Sequence, residues 1–215
     1  MLIDLYLKGK DVVIFGGGNE AELKMVKAFD DGVQITVLSK EFTSKMAQFA
    51  HEGKIRLVKY DLEKGFSKLK NFIKKPFVVF LATDNPKLNR QGRDFAKKLG
   101  AIVCVVDTPE LYDFASPAVA KIGEIEVGIS TGGKSPVIAK LLRQRIESSI
   151  TEEDLLQLEL QEYARKKVRP RINEFSSRKK FLWQVVEDDQ IKSLIKKHEM
   201  QQAKALVDLM IERVI

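Results

Sequence analysis

A single cysteine, Cys104, stands among 215 residues, so no disulfide closes within the chain. It lies in the apolar run AIVCVV, which suits a buried and inert thiol. Histidine is almost as scarce. His51 and His198 are the only two, and neither has a cysteine or histidine neighbour at ligand spacing, which argues against a built-in structural zinc site. No apolar stretch approaches the roughly 20 residues of a membrane-spanning helix, so no membrane partner is expected. The N-terminal MLIDLYLKGKD has too short an apolar run for a secretory signal and lacks a small-residue cleavage site. A cytoplasmic address is the expectation. Internal repeats and low-complexity tracts are missing as well.

What is present describes an ordinary globular protein with 44% hydrophobic and 31% charged residues, long enough for one large domain or two small ones. The net charge of +7 favours an anionic partner: nucleic acid, an acidic membrane, or a polycarboxylate or phosphate ligand. Charge alone does not choose among them. The densest basic clusters are ARKKVRPR (164–171) and RKK (178–180). A charge run is usually a solvated face. No aromatic-rich platform or DNA-binding signature accompanies these clusters, so nucleic acid is not expected as a partner.

The first hundred residues alternate between two periods. Short runs rich in Val, Ile and Phe recur as DVVIF (11–15), VQITVL (33–38), KIRLV (54–58), FVVFLA (77–82) and AIVCVV (101–106). Near-continuous apolar runs suit strands covered on both faces, as in a parallel sheet. Between them, AELKMVKAF, TSKMAQFAHEG, FSKLKNFIKK and NPKLNRQGRDFAKKLG carry helical spacing. This alternation predicts an α/β fold with a Rossmann-like doubly wound parallel sheet over 1–113. Then SPAVAKIGEIEVGIST predicts two strands turning at Gly123, and SPVIAKLLRQRIESS a helix capped by Ser135 with Pro136 in its first turn. That makes a small strand-strand-helix module over 114–150. From Thr151 the chain reads as a helical domain over 151–215, interrupted at Pro170.

The stretch VVIFGGGNEAELK (12–24) fits G-x-G-x-x-A, with Gly16, Gly18 and Ala21 in the small positions around Gly17, Asn19 and Glu20. Glycine makes the sharp first turn, the second lets the backbone approach a pyrophosphate, and the third small residue lets helix and strand pack closely. The motif follows a predicted strand and opens a predicted helix, the context that gives it meaning. An acid about 20 positions on usually holds the adenosine ribose. Here Ser39 and Lys40 stand at that place, and Lys40 suits a 2′-phosphate, so NAD and NADP both stay open.

Ligands of open α/β sheets bind beyond the carboxyl ends of the strands. Thr83 and Asp84 in LATDN, and Asp107 in VVDTPELYDF, stand there. For Asp84 a helix-capping role is an equal reading. STGGKSP (130–136) reads either as an anion-binding nest or as a turn whose Lys134 points into water.

Taken in order, VVIFGGGNEAELK, LATDNPKLN, VVDTPELYDFASPA and ISTGGKSPVIAKLLRQRIE resemble the precorrin-2 dehydrogenase/sirohydrochlorin ferrochelatase family, which includes the N-terminal half of siroheme synthases. The resemblance covers residues 1 to 150 and continues weakly through RKKFLWQVVEDD (179–189). It implies NAD-dependent oxidation of precorrin-2 to sirohydrochlorin, both polycarboxylated tetrapyrroles, and in some members insertion of ferrous iron. It also implies an intertwined homodimer with the middle module at its interface. The family's key aspartate matches Asp107, and its S-[ST]-G-G-x-S-P segment matches Ser130, Thr131, Gly132, Gly133, Lys134 and Ser135 through Pro136. Lys134, Arg143 and the cluster near Arg171 are candidate clamps for substrate carboxylates. The chain departs from the family pattern at Glu20, Glu22 and the missing ribose acid. A reading from a different class is a non-catalytic NAD-binding module with a partner-binding helical tail. Asp107 together with an intact STGGKSP speaks against it.

Overall fold

The structure, a computed structural model, describes residues 2–73, 75–106 and 108–213. The chain divides into two compact units, Met1–Ser116 and Pro117–Ile215.

The first unit is built on a five-stranded parallel sheet in the order β3-β2-β1-β4-β5. The strands are β1 (Asp11–Phe15), β2 (Gln34–Ser39), β3 (Arg56–Lys59), β4 (Val78–Leu81) and β5 (Ile102–Val105). The central strands are apolar at nearly every position because both faces are covered. Along β1, Val12 and Ile14 enter one core and Val13 and Phe15 the other, the alternation a strand imposes. Helix α1 (Asn19–Asp30) contributes Ala21, Met25 and Ala28 to the first core, and α2 (Ser44–His51) contributes Met46. Helix α3 (Pro86–Lys98) sends Phe95 and Ala96 into the opposite core. Helices on both faces make the sheet doubly wound, as the alternation of periods predicts. Cys104 is buried in the α1 core, and its burial pushes the thiol above the ordinary cysteine range.

Among the described residues, one predicted helix is absent. FSKLKNFIKK forms only a 3₁₀ turn over Ser67–Asn71, following another over Leu62–Lys64. Phe66, Leu69 and Ile73 do go into the core, so the helical spacing is genuine. Gly65, at φ 87°, bounds the segment on one side and Pro76 on the other.

In the second unit, β6 (Ala118–Ile122) and β7 (Ile125–Ile129) form an antiparallel hairpin, with Gly123 at φ 56° in the turn. Helix α4 (Pro136–Ser149) packs on both strands, and Ser135 Oγ caps it by accepting from Ile138 N at 3.2 Å. Next come α5 (Glu152–Val168), α6 (Phe175–Glu187), α7 (Asp189–Lys196) and α8 (Met200–Glu212). Thr151 and Asp154 form a capping box at the start of α5. Leu160, Phe181, Ile191 and Ile211 are buried in the core these four helices share. No helix among the described residues is long and apolar enough to cross a membrane.

Candidate active site

The sheet order places β1 between β2 and β4, whose helices leave toward opposite faces, and the crevice beyond such a switch point is where open α/β sheets bind ligands. A cavity of about 1250 Å³ lies there. At the end of β1 the chain turns at Gly16, whose φ of 118° is hostile to a side chain and whose missing Cβ would collide with the Ala82 carbonyl oxygen. A Cβ on Gly17 would strike the Glu41 carbonyl oxygen. Gly18 differs: nothing stands within 4 Å of the place its Cβ would occupy. It is the N-cap of α1 and no side chain caps that helix, so the first-turn N–H groups are left for a ligand. The open space over an uncapped helix start fits a dinucleotide pyrophosphate. Ala21 is fully buried where α1 meets the sheet, the close-packing role of the third small position. Glu20 lines the cavity in the first turn, an acid beside the phosphate position.

Thr83 and Asp84 line the cavity beyond β4. Asn89, buried in α3, holds Thr83: its amide donates to the Thr83 carbonyl at 2.9 Å, and its Oδ1 accepts from Thr83 Oγ1 at 2.7 Å. Asp84 is exposed and does not cap α3. Asn85 does so, accepting from Lys87 N and Leu88 N.

Ser39 ends β2, and Lys40 follows it into the cavity lining. The Lys40 ammonium lies 3.1 Å from Asp61 Oδ1 and 3.1 Å from Glu63 Oε2. Hydrogen bonds to Asp61 and then Glu63 raise the lysine above its ordinary pKa. For Asp61, desolvation pushes upward, but the Lys40 hydrogen bond, the Glu63 N–H and nearby lysine charge together hold it below the ordinary value. Beyond β5, Val106 and Thr108 line the cavity. Asp107, between them in sequence, lies outside the described residues.

The other residues singled out in the sequence belong to the second unit. In the loop from β7 to α4, Gly132 and Gly133 take φ of 61° and 77°. Gly132 N donates to Ser130 Oγ, Ser135 N to Thr131 Oγ1 and Lys134 N to the Thr131 carbonyl, a self-bonded turn. Arg143, on α4, pairs with Glu147 at 3.5 Å. Arg171 is exposed after α5, while Arg165, Arg169, Arg178 and Lys179 line a groove of about 620 Å³ with Phe175 and Trp183.

Sequence reasoning missed Asn89, Asp61 and Glu63. Asn89 closes the quoted stretch LATDNPKLN, three residues after Pro86 on the helix it opens, so its position was readable once α3 was drawn. Asp61 and Glu63 follow β3, and no spacing rule from the glycine motif reaches them.

Fold and cavity together define a dinucleotide-binding α/β protein of the Rossmann type, and the family model described as putative NAD(P)-binding matches residues 3–118. The model for the sirohaem biosynthesis protein central region matches residues 123–149. The chain is 35% identical to the precorrin-2 dehydrogenase of Methanosarcina barkeri over 188 residues, 87% of this chain and 83% of the relative. The chain belongs to the precorrin-2 dehydrogenase family. It is 32% identical to the siroheme synthase of Nitrosococcus oceani over 148 residues, 69% of this chain but only 30% of that longer protein. The solved structure of SirC, precorrin-2 dehydrogenase, shares the fold with a TM-score of 0.72 at 22% identity, covering 95% of this chain and 98% of that one.

Proposed function

We propose that this chain oxidises precorrin-2 to sirohydrochlorin with NAD as the acceptor, a step of siroheme biosynthesis. The observation that carries this reading is the 35% identity to a precorrin-2 dehydrogenase across most of both chains, over a first unit whose glycine loop opens a dinucleotide-sized cavity. The reaction removes two hydrogens from the macrocycle, one as hydride and one as a proton. The nicotinamide, when bound, supplies the hydride acceptor.

The chain's own residues bind and orient. Gly16 and Gly17 shape the loop, and the uncapped start of α1 directs N–H groups at the pyrophosphate. Thr83, fixed by Asn89, and Asp84 stand at the edge of β4. Asp107 is the proposed general base for the released proton, and its chain neighbours Val106 and Thr108 line the cavity. Lys134, Arg143 and the groove of Arg165, Arg169, Arg178 and Lys179 are the proposed partners of the substrate carboxylates. The same Asp107 would assist loss of pyrrole N–H protons if ferrous iron is the second substrate, an activity that an iron-insertion assay on sirohydrochlorin separates from the first.

Two further features belong to this reading. The hairpin and α4 leave Val119, Val137, Ile138 and Leu141 exposed, an apolar set that supports a homodimer through this module. A cytoplasmic location accords with a biosynthetic enzyme of this kind. The test is anaerobic NADH formation from enzymatically generated precorrin-2, with wild type and Asp107→Ala side by side. NADH from wild type alone, with NAD binding intact in both, supports the reading. Activity surviving in the variant removes Asp107 as the base.

A further inference from the structure

The ribose end of the cofactor cavity lacks the acid that normally closes β2, and a lysine stands in its place. An isolated lysine there would attract a 2′-phosphate and favour NADP. Lys40 is not isolated. Register pairs Ser39 with Lys59, so the residues after β2 and β3 emerge side by side. Tyr60 N donates to the Ser39 carbonyl at 2.9 Å, which carries the pairing one step past the strand. Asp61 then lands against Lys40, and its Oδ1 also accepts from Glu63 N at 3.0 Å, which fixes the carboxylate at the head of the 3₁₀ turn. Glu63 closes on Lys40 from that same turn. Lys40, Asp61 and Glu63 all line the cavity.

Resting on the dinucleotide reading above, we infer that Asp61, with Glu63, supplies from the end of β3 the acid missing from β2, and that this arrangement selects NAD against NADP. The Lys40 ammonium is held between two carboxylates, so its charge is already met at this corner. A 2′-phosphate carries about −1.5 to −2 charges and would have to lie against both carboxylates or strip Lys40 from them. A 2′-hydroxyl meets the reverse situation. The Lys40 and Glu63 N contacts of Asp61 both fall on Oδ1, so Oδ2 keeps its capacity to accept a ribose O–H, and Ser39, the last residue of β2, lines the same cavity. Lys40 thus serves as a support for the acid instead of a phosphate receptor. Like charges and unpaired acceptors discriminate by repulsion as well as attraction.

The experiment measures the dissociation constants of NADH and NADPH by fluorescence titration for wild type, Asp61→Asn/Glu63→Gln, and the same double variant with Lys40→Ala added. Asparagine retains an acceptor for Glu63 N, so the turn keeps its cap, and circular dichroism and thermal melting check the fold. Wild type is expected to bind NADH at least about tenfold more tightly than NADPH. The double variant is expected to lose several-fold in NADH affinity and to gain about tenfold for NADPH, and the gain should vanish when Lys40 is removed. Equal affinity of wild type for the two nucleotides, or an unchanged ratio in the folded double variant, overturns the inference and leaves the dinucleotide reading standing. Failure of wild type to bind either one overturns both.

Discussion

Asn89 and Thr83 are locked together by three hydrogen bonds: the Asn89 amide donates to the Thr83 carbonyl at 2.9 Å, and its Oδ1 accepts from Thr83 Oγ1 at 2.7 Å and Thr83 N at 3.3 Å. Asn89 is the one buried polar side chain among the described residues, 4% exposed, and every bond it makes goes to the residue at the cavity edge. Asn89→Leu would orphan the Thr83 N–H and carbonyl, while Thr83 Oγ1 keeps its bonds with the Asn85 backbone, and it is expected to destabilise the protein by about 1–3 kcal/mol in urea unfolding. NAD affinity should fall as well, because Thr83 loses its fixed position. A variant with unchanged stability and unchanged NAD affinity would contradict the positioning role.

The glycines of the loop should not be equivalent. Gly16→Ala forces a side chain onto the Ala82 carbonyl at a left-handed φ, so NAD binding should collapse and stability should drop by a few kcal/mol, on the order expected for strained backbone. Gly18→Ala meets no protein atom and should leave the melting temperature nearly unchanged while weakening NAD by about tenfold or more. Calorimetric titration of both variants separates the two outcomes. Unchanged NAD affinity in a stably folded Gly18→Ala would mean that the open space at Gly18 has no bearing on the ligand.

Asp113 ties the loop after β5 back onto the sheet, accepting from Val103 N at 2.8 Å and pairing with Lys97 at 2.9 Å. Desolvation pushes its carboxyl up, but the Lys97 hydrogen bond, the Val103 N–H and the Lys97 and Arg93 charges outweigh it and leave the pKa depressed. A depressed folded pKa stabilises the protein above the unfolded carboxyl value of about 3.9, and that contribution disappears as pH falls through the folded pKa below it. Asp113→Asn should therefore be less stable than wild type near pH 6, with the gap closing in acid. Urea midpoints measured across that range test the sign. A gap that widens in acid would refute it.

The exposed apolar residues of α4 make the proposed homodimer testable without the substrate. Val137, 75% exposed, and Leu141 are expected to be covered in solution. Size-exclusion chromatography with light scattering should give twice the chain mass for wild type and a monomer for Val137→Asp/Leu141→Glu. A monomeric wild type at micromolar concentration would remove this part of the reading.

Much of the architecture was legible because buried parallel strands write themselves as unbroken apolar runs. DVVIF and FVVFLA mark β1 and β4 to within a residue, and Ser135 followed by Pro136 marks the start of α4. FSKLKNFIKK misled because a 3₁₀ turn can bury residues at helical spacing, and the pattern records which side chains go in, not how the backbone carries them. The glycine-loop turn was equally readable, since a sharp turn and a close approach demand glycine at fixed offsets. The corner around Lys40 was not. Lys40 looks like a phosphate ligand until Asp61 and Glu63 arrive from the neighbouring strand, and strand register is a tertiary fact that a local motif does not contain.

The most direct measurement is stoichiometric: precorrin-2 and NAD mixed anaerobically with the wild-type chain, with NADH and sirohydrochlorin quantified together by their absorption. The expected result is NADH and sirohydrochlorin appearing in equal amounts at the same rate. Sirohydrochlorin formed without matching NADH, or no turnover with either NAD or NADP, would contradict the dehydrogenase reading.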